Sequence, residues 1–124
     1  MNKLTLFIAA VSLSALAGAC AKQGMTPAVR NEITAKLQST QTPIQQCYAR
    51  QLATNRKLAG MVVAQAAIAP DGQFGEVSLR RDEPADPVLR FCVVQEIAKL
   101  KLDKPTGERV VLDSIPIKFV WANP

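Results

Sequence analysis

The chain has 124 residues, 48% of them hydrophobic, with three cysteines, no histidine and a formal net charge of +5. That length holds one small domain, and the lack of histidine removes the commonest general base and a frequent metal ligand. The cations are scattered along the chain, which reads as a solvated surface rather than a stripe for nucleic acid.

Residues 1–19 carry one early cation, Lys3, then an uncharged, mostly apolar core from Leu4 to Leu16 and small residues Ala17-Gly18-Ala19 before Cys20. The core of roughly 13 residues is short of the ~20 a membrane span needs, so the segment reads as a secretory signal. Its removal leaves 124 − 19 = 105 residues and a charge of 5 − 1 = +4. Leu16-Ala17-Gly18-Ala19-Cys20 also looks like a lipobox, the bacterial signal for lipid attachment at Cys20, although Ala17 is smaller than the usual residue there. Ordinary signal peptidase fits the same bond through its small-x-small rule. The cysteine count favours lipidation. With Cys20 acylated, Cys47 and Cys92 remain as an even pair; otherwise the exported chain carries an odd thiol.

Residues 20–25 form a short tether, and one domain is expected over 26–124. Thr26-Pro27 is a helix start, with Val29, Ile33 and Leu37 on one face. Thr42-Pro43-Ile44-Gln45 restarts a helix through a T-x-x-Q capping box, and Ile44, Cys47, Tyr48 and Leu52 form its apolar stripe to about Thr54. Residues 61–69 are apolar except for Gln65 and suit a strand buried on at least one face. Pro70-Asp71-Gly72 then reverses the chain. The return strand from Gln73 puts Val77 and Leu79 on one face and Glu76, Ser78 and Arg80 on the other. Asp86-Pro87 opens a third helix whose inward face is Leu89, Cys92, Val93, Ile97 and Leu100. A turn over Lys104-Pro105-Thr106-Gly107 leads to a final strand of about residues 110–121, with Ile115, Ile117, Phe119 and Trp121 alternating. Pro116 cannot donate a ladder hydrogen bond, so this strand lies at an edge or is bulged. The order predicts an α+β two-layer domain, helices on one face of a three-stranded antiparallel sheet.

Cys47 and Cys92 each fall on the apolar face of a predicted helix, which places them between the helices and the sheet. In a cytosolic protein they would read as two small buried hydrophobes; in an exported one they read as a disulfide. Two thiols without histidine make half of a tetrahedral zinc set, and the C-x-x-C spacing of a thiol redox motif is absent. No metal and no cofactor is expected.

Pro43-Ile44, Cys47-Tyr48, Leu52, Leu58, Gly60, Pro70-Asp71-Gly72, Cys92-Val93 and Ile115-Pro116-Ile117-Lys118-Phe119 together resemble the C-terminal domain of AgmX/PglI-type proteins, itself similar to the TonB C-terminal domain. The resemblance spans about residues 29–121. Leu100-Lys101-Leu102 stands where that family carries an aromatic W-x-F pair. The resemblance implies a TonB-like module that binds an extended peptide of an envelope protein by strand addition along the last strand, over Val111, Ile115, Ile117, Lys118, Phe119, Val120 and Trp121. Read from the residues alone, Ile115, Ile117, Phe119 and Trp121 are core, which leaves the opposite face and the edge for a partner. The proline-rich stretch of a TonB-type energy coupler is not seen.

The expectation is therefore a non-enzymatic envelope lipoprotein on the periplasmic side of the outer membrane. It would bind a protein partner, with no nucleic acid and no small-molecule substrate, as an accessory to a transport, motility or secretion assembly. The alternative is a structural lipoprotein that holds peptidoglycan or an anionic envelope surface. For an enzyme the candidates Asp71, Ser78, Asp82, Glu83, Glu96 and Ser114 are dispersed and read as turn and surface residues.

Overall fold

The computed structural model describes residues 25–120. The expected signal segment, Cys20 and Trp121 lie outside them. The elements run α1 (Pro27–Ser39), α2 (Gln41–Leu52), β1 (Gly60–Ile68), β2 (Phe74–Asp82), α3 (Pro87–Ala98) and β3 (Val110–Phe119). Two helices start as their sequences dictate. Thr26 accepts a hydrogen bond from the Val29 amide at 3.2 Å and Asp86 from the Leu89 amide at 2.8 Å, each ahead of a proline in the first turn.

The start of α2 differs from the expected capping box. The helix begins at Gln41, one residue before Thr42, and its cap Thr40 makes no side-chain cap bond. The reason is continuity. The Thr40 amide donates back to Lys36 and Leu37 at the end of α1, while its carbonyl accepts from Ile44 at 3.1 Å, so one residue closes one helix and opens the next.

The hairpin follows the Pro70-Asp71-Gly72 signal. The Gly72 amide donates to Ala69 O at 2.8 Å, Asp71 Oδ1 accepts from the Gln73 amide at 3.0 Å, and Gly72 sits at φ +94. The three strands are antiparallel in the order β2-β1-β3. β1 is central.

Both outer strands are bulged. Along β3, Ala66 faces Leu112 and Ala64 faces Ile115, so β3 carries one extra residue around Asp113-Ser114. That residue shifts the alternation, and Val110 and Leu112 before it turn inward along with Ile115, Ile117 and Phe119 after it. β2 shifts twice, at Arg80 and around Glu76, the latter at φ 48. Phe74, Val77 and Leu79 thereby all reach the core, and Asp82 turns to meet Arg90 of α3, Nε to Oδ2 at 2.9 Å.

The helices cover one face of the sheet. α3 lies along β2 and α2 beside α3, while Ile33 brings α1 into the same core. Phe74, Phe119, Ile68, Leu89, Ile97 and Leu102 are among the largest fully buried side chains. Burying each contributes about 1.5–3 kcal/mol. Leu102 and half-buried Leu100, the residues in place of an aromatic pair, flank a bridge between Lys101 and Gln73. The Gln73 amide group also donates to Ala98 O at 2.9 Å and Leu100 O at 3.1 Å, closing the end of α3.

Candidate partner-binding edge and cleft

Among the described residues β3 has one neighbour, β1, and its other border carries no strand. A strand with one neighbour leaves about half of its backbone donors and acceptors directed outward. Pro116 removes one donor, and the Asp113-Ser114 bulge interrupts the border further up, so the regular stretch is the part that pairs Ile115 through Phe119 with Ala64 through Gly60. β2 is the less open border. The segment after α3 lies across its start, with the Phe74 amide donating to Leu100 O at 3.1 Å and the Leu102 amide to Gly72 O at 2.9 Å, and the rest is bulged twice.

The residues expected along the edge divide into two sets. Ile115 and Phe119 are buried and Ile117 half-buried, so the side chains of these three face the core rather than a partner. Lys118 is exposed, as are Val111 and Val120 at 49% and 57%.

A cleft of about 490 Å³ runs beside this border, between residues 114–118 of β3 and the facing parts of α1 and α2. Leu37, Ile44, Ile97, Ile115 and Ile117 give it an apolar floor. Its rim carries Gln38, Gln41 and Gln45 on the helix side, and Lys118 is the one charged residue in its lining. A peptide extended along β3 would project alternate side chains onto that floor while its backbone met the strand. Glutamine amides both donate and accept, so they suit backbone groups of any sequence. A second cleft lies along β2, but the Arg90–Asp82 pair occupies its wall.

Long-range contacts fix the walls of the first cleft. Tyr48 of α2 stacks on Phe119 with ring centroids 4.9 Å apart, and its hydroxyl donates to Leu58 O at 2.5 Å. Burial pushes the Tyr48 pKa up, which keeps the hydroxyl a neutral donor. Lys36 of α1 pairs with Asp103 at 3.0 Å, and Glu32 accepts from the Asp103 amide, anchoring α1 to the segment ahead of β3.

The Cys47–Cys92 disulfide is present, with Cα atoms 6.1 Å apart. It joins α2 to α3, with Cys47 1% exposed in the core and Cys92 half-buried and packed against it. Arg50 Nη2 lies 3.4 Å from Cys92 Sγ and 3.8 Å from Cys47 Sγ.

The dispersed polar candidates stay dispersed. Asp71 serves the hairpin turn, Ser78 accepts from Gln65 at 2.8 Å on the open sheet face, and Glu96 pairs with Lys99 at 2.9 Å. Asp82 and Glu83 are neighbours but are held by different arginines, Arg90 and Arg81. Among the described residues no group of three or more His, Cys, Asp or Glu could hold a metal ion.

Glu83 closes the end of the hairpin. Its Oε1 accepts the Met61 amide at 2.7 Å, and the Glu83 amide donates back to Met61 O at 3.1 Å. A side chain at Gly60, φ +131, would drive its Cβ to 2.6 Å from Glu83 Cβ. The Met61 bond lowers the Glu83 pKa, Arg81 lowers it further, and partial desolvation opposes both. A folded pKa below the unfolded one gives stability that is full at neutral pH and is lost as pH falls through the lowered value. Urea unfolding between about pH 3 and 6 should show a shallower acid loss for Glu83→Gln than for the parent; equal slopes would remove Glu83 from the pH dependence.

Comparison of the chain with protein-family models, with curated proteins and with solved structures finds no match.

Proposed function

We propose that this chain is a cell-envelope lipoprotein whose domain is a non-catalytic, TonB-like binding module. It takes an extended stretch of another envelope protein along β3, as an accessory to a transport, motility or secretion assembly. The observation that carries the reading is an unpaired strand border with an apolar-floored cleft directly beside it. Strand addition at such a border draws affinity from backbone bonds and selectivity from alternate side-chain pockets.

Two further points support it. The resemblance to AgmX/PglI-type domains rests on Cys47-Tyr48, Cys92 and the proline of the last strand. The residues behind it also act together in space: Tyr48 packs on Phe119 and Cys47 bonds Cys92. Lipid attachment at Cys20 would hold the module at the outer membrane, facing the periplasm, and a disulfide is in keeping with that oxidising compartment. Holding an anionic surface through charge alone is the weaker reading, because the basic residues are scattered along the chain rather than gathered in one run.

A photo-crosslinking residue placed at Lys118 or Val111 is expected to capture a protein in intact cells, while the same residue at Arg80 of β2 captures little. Equal capture from both borders, or none from β3, would exclude the strand-addition reading.

A further inference from the structure

The two sulfurs of the bridge are unequal. Cys47 is closed off at 1% exposure, whereas Cys92 is half-buried at the margin of the core, next to exposed Phe91. An attacking thiolate must line up with the sulfur it strikes, which favours Cys92, the less buried of the two, over Cys47. One guanidinium serves both atoms: Arg50 Nη2 is 3.4 Å from Cys92 Sγ and 3.8 Å from Cys47 Sγ. Five other cations form salt bridges with carboxylates, and among the described residues Arg50 has none. A cation against sulfur favours the thiolate, and a stabilised thiolate is the better leaving group.

The surface beside Cys92 is apolar. Val88, one helical turn before it, is 57% exposed, and Phe91, its neighbour in the chain, is 67% exposed. Val88 and Phe91 are three apart and Val88 and Cys92 four apart, so the three border one patch of α3. Large exposed apolar groups next to the less buried sulfur make a landing surface for a protein that carries a thiol pair.

From the less buried sulfur, the cation over both atoms and the apolar patch, we propose that Cys47–Cys92 is an exchangeable disulfide, with Cys92 the atom attacked by a dithiol protein docked on Val88 and Phe91. The proposal is independent of any partner at β3. In the first step a thiolate of the dithiol forms a new S–S bond to Cys92 Sγ. The Cys47–Cys92 bond breaks, and its electron pair stays on Cys47 Sγ as a thiolate beside Arg50. In the second step the other thiol of the reagent, having lost its proton to water, attacks its own half of the mixed disulfide. That closes the reagent's disulfide and releases Cys92 as a thiolate, again beside Arg50. The chain gains two electrons and the dithiol loses two. The exchange unties α2, which carries Gln41, Ile44 and Gln45 of the cleft, from α3.

The test uses the full chain with Cys20→Ser, so that only the pair reacts. Reduced thioredoxin whose second active-site cysteine is serine halts the reaction at the mixed disulfide, and peptide mapping then locates the bond. The expected adduct is on Cys92, with Cys47 free to alkylate. Arg50→Gln should slow reduction of the folded protein by dithiothreitol roughly fivefold, and Arg50→Lys should restore most of the rate. Phe91→Ser should weaken trapping by thioredoxin and leave the dithiothreitol rate unchanged. Melting of the oxidised variants checks that all remain folded. An adduct on Cys47, an Arg50→Gln rate equal to the parent's, or a bridge that opens only in denaturant would each overturn the proposal.

Discussion

Replacing both Cys47 and Cys92 by alanine is expected to lower the stability of the folded domain by about 4 kcal/mol. The bridge spans a sequence separation of 45, and closing a loop of that length removes a corresponding share of the unfolded chain's entropy. Small domains are stable by only about 5–15 kcal/mol, so the bridge supplies a large fraction of the total. In a thermal melt the loss should appear as a midpoint lower by roughly 15 °C or more. The full chain under oxidising conditions is the reference. A difference under about 1 kcal/mol would mean that contacts between α2 and α3 already restrain the unfolded chain as much as the covalent bond does.

Phe119→Ala is expected to cost about 3–5 kcal/mol, the range for removing a buried aromatic side chain. Phe119 is 1% exposed, faces Gly60 across the ladder and stacks on Tyr48. Its loss opens a cavity where β3, β1 and α2 meet. Lys118→Ala, one position away on the same strand, should change stability by no more than about 0.5 kcal/mol, because Lys118 is exposed and in no salt bridge among the described residues. Urea unfolding of both variants with unchanged m-values separates the two faces of β3. Similar losses for both would contradict the assignment of Phe119 to the core. Cys47 and Tyr48 are adjacent on α2, so combining Phe119→Ala with loss of the bridge should not give a simple sum.

Much of the fold was legible because much of it is decided over short distances. Thr26-Pro27 and Asp86-Pro87 set helix starts through bonds that span three residues, and Pro70-Asp71-Gly72 sets a turn within four. Pro116 marked the last strand as an edge or a bulged strand for the simple reason that it has no N–H to give. Thr42 misled for a matching reason: its T-x-x-Q pattern is a valid local signal, but the join at Thr40 took over the capping. The bulges also leave a trace in the sequence. Phe74 to Val77 and Leu112 to Ile115 are each three apart, a slip in a two-residue alternation that only an extra residue in the strand explains.

The candidate site was less legible than the fold that carries it. Residue patterns named β3 and the cysteine pair, yet nothing in them brought Gln38, Gln41 and Gln45 opposite β3, put Arg50 over the sulfurs or left Phe91 in solvent. Those placements depend on the packing of distant elements, which local periodicity does not encode. By itself the sequence determined the order of helices and strands, the hairpin and the helix starts, since hydrogen bonding and backbone restriction act between near neighbours. Tertiary structure alone decided that β1 rather than β2 lies in the middle, that the segment after α3 covers the start of β2, and that Cys92 is less buried than Cys47. Each of those outcomes follows from which apolar faces meet across the core, a choice made between residues tens of positions apart.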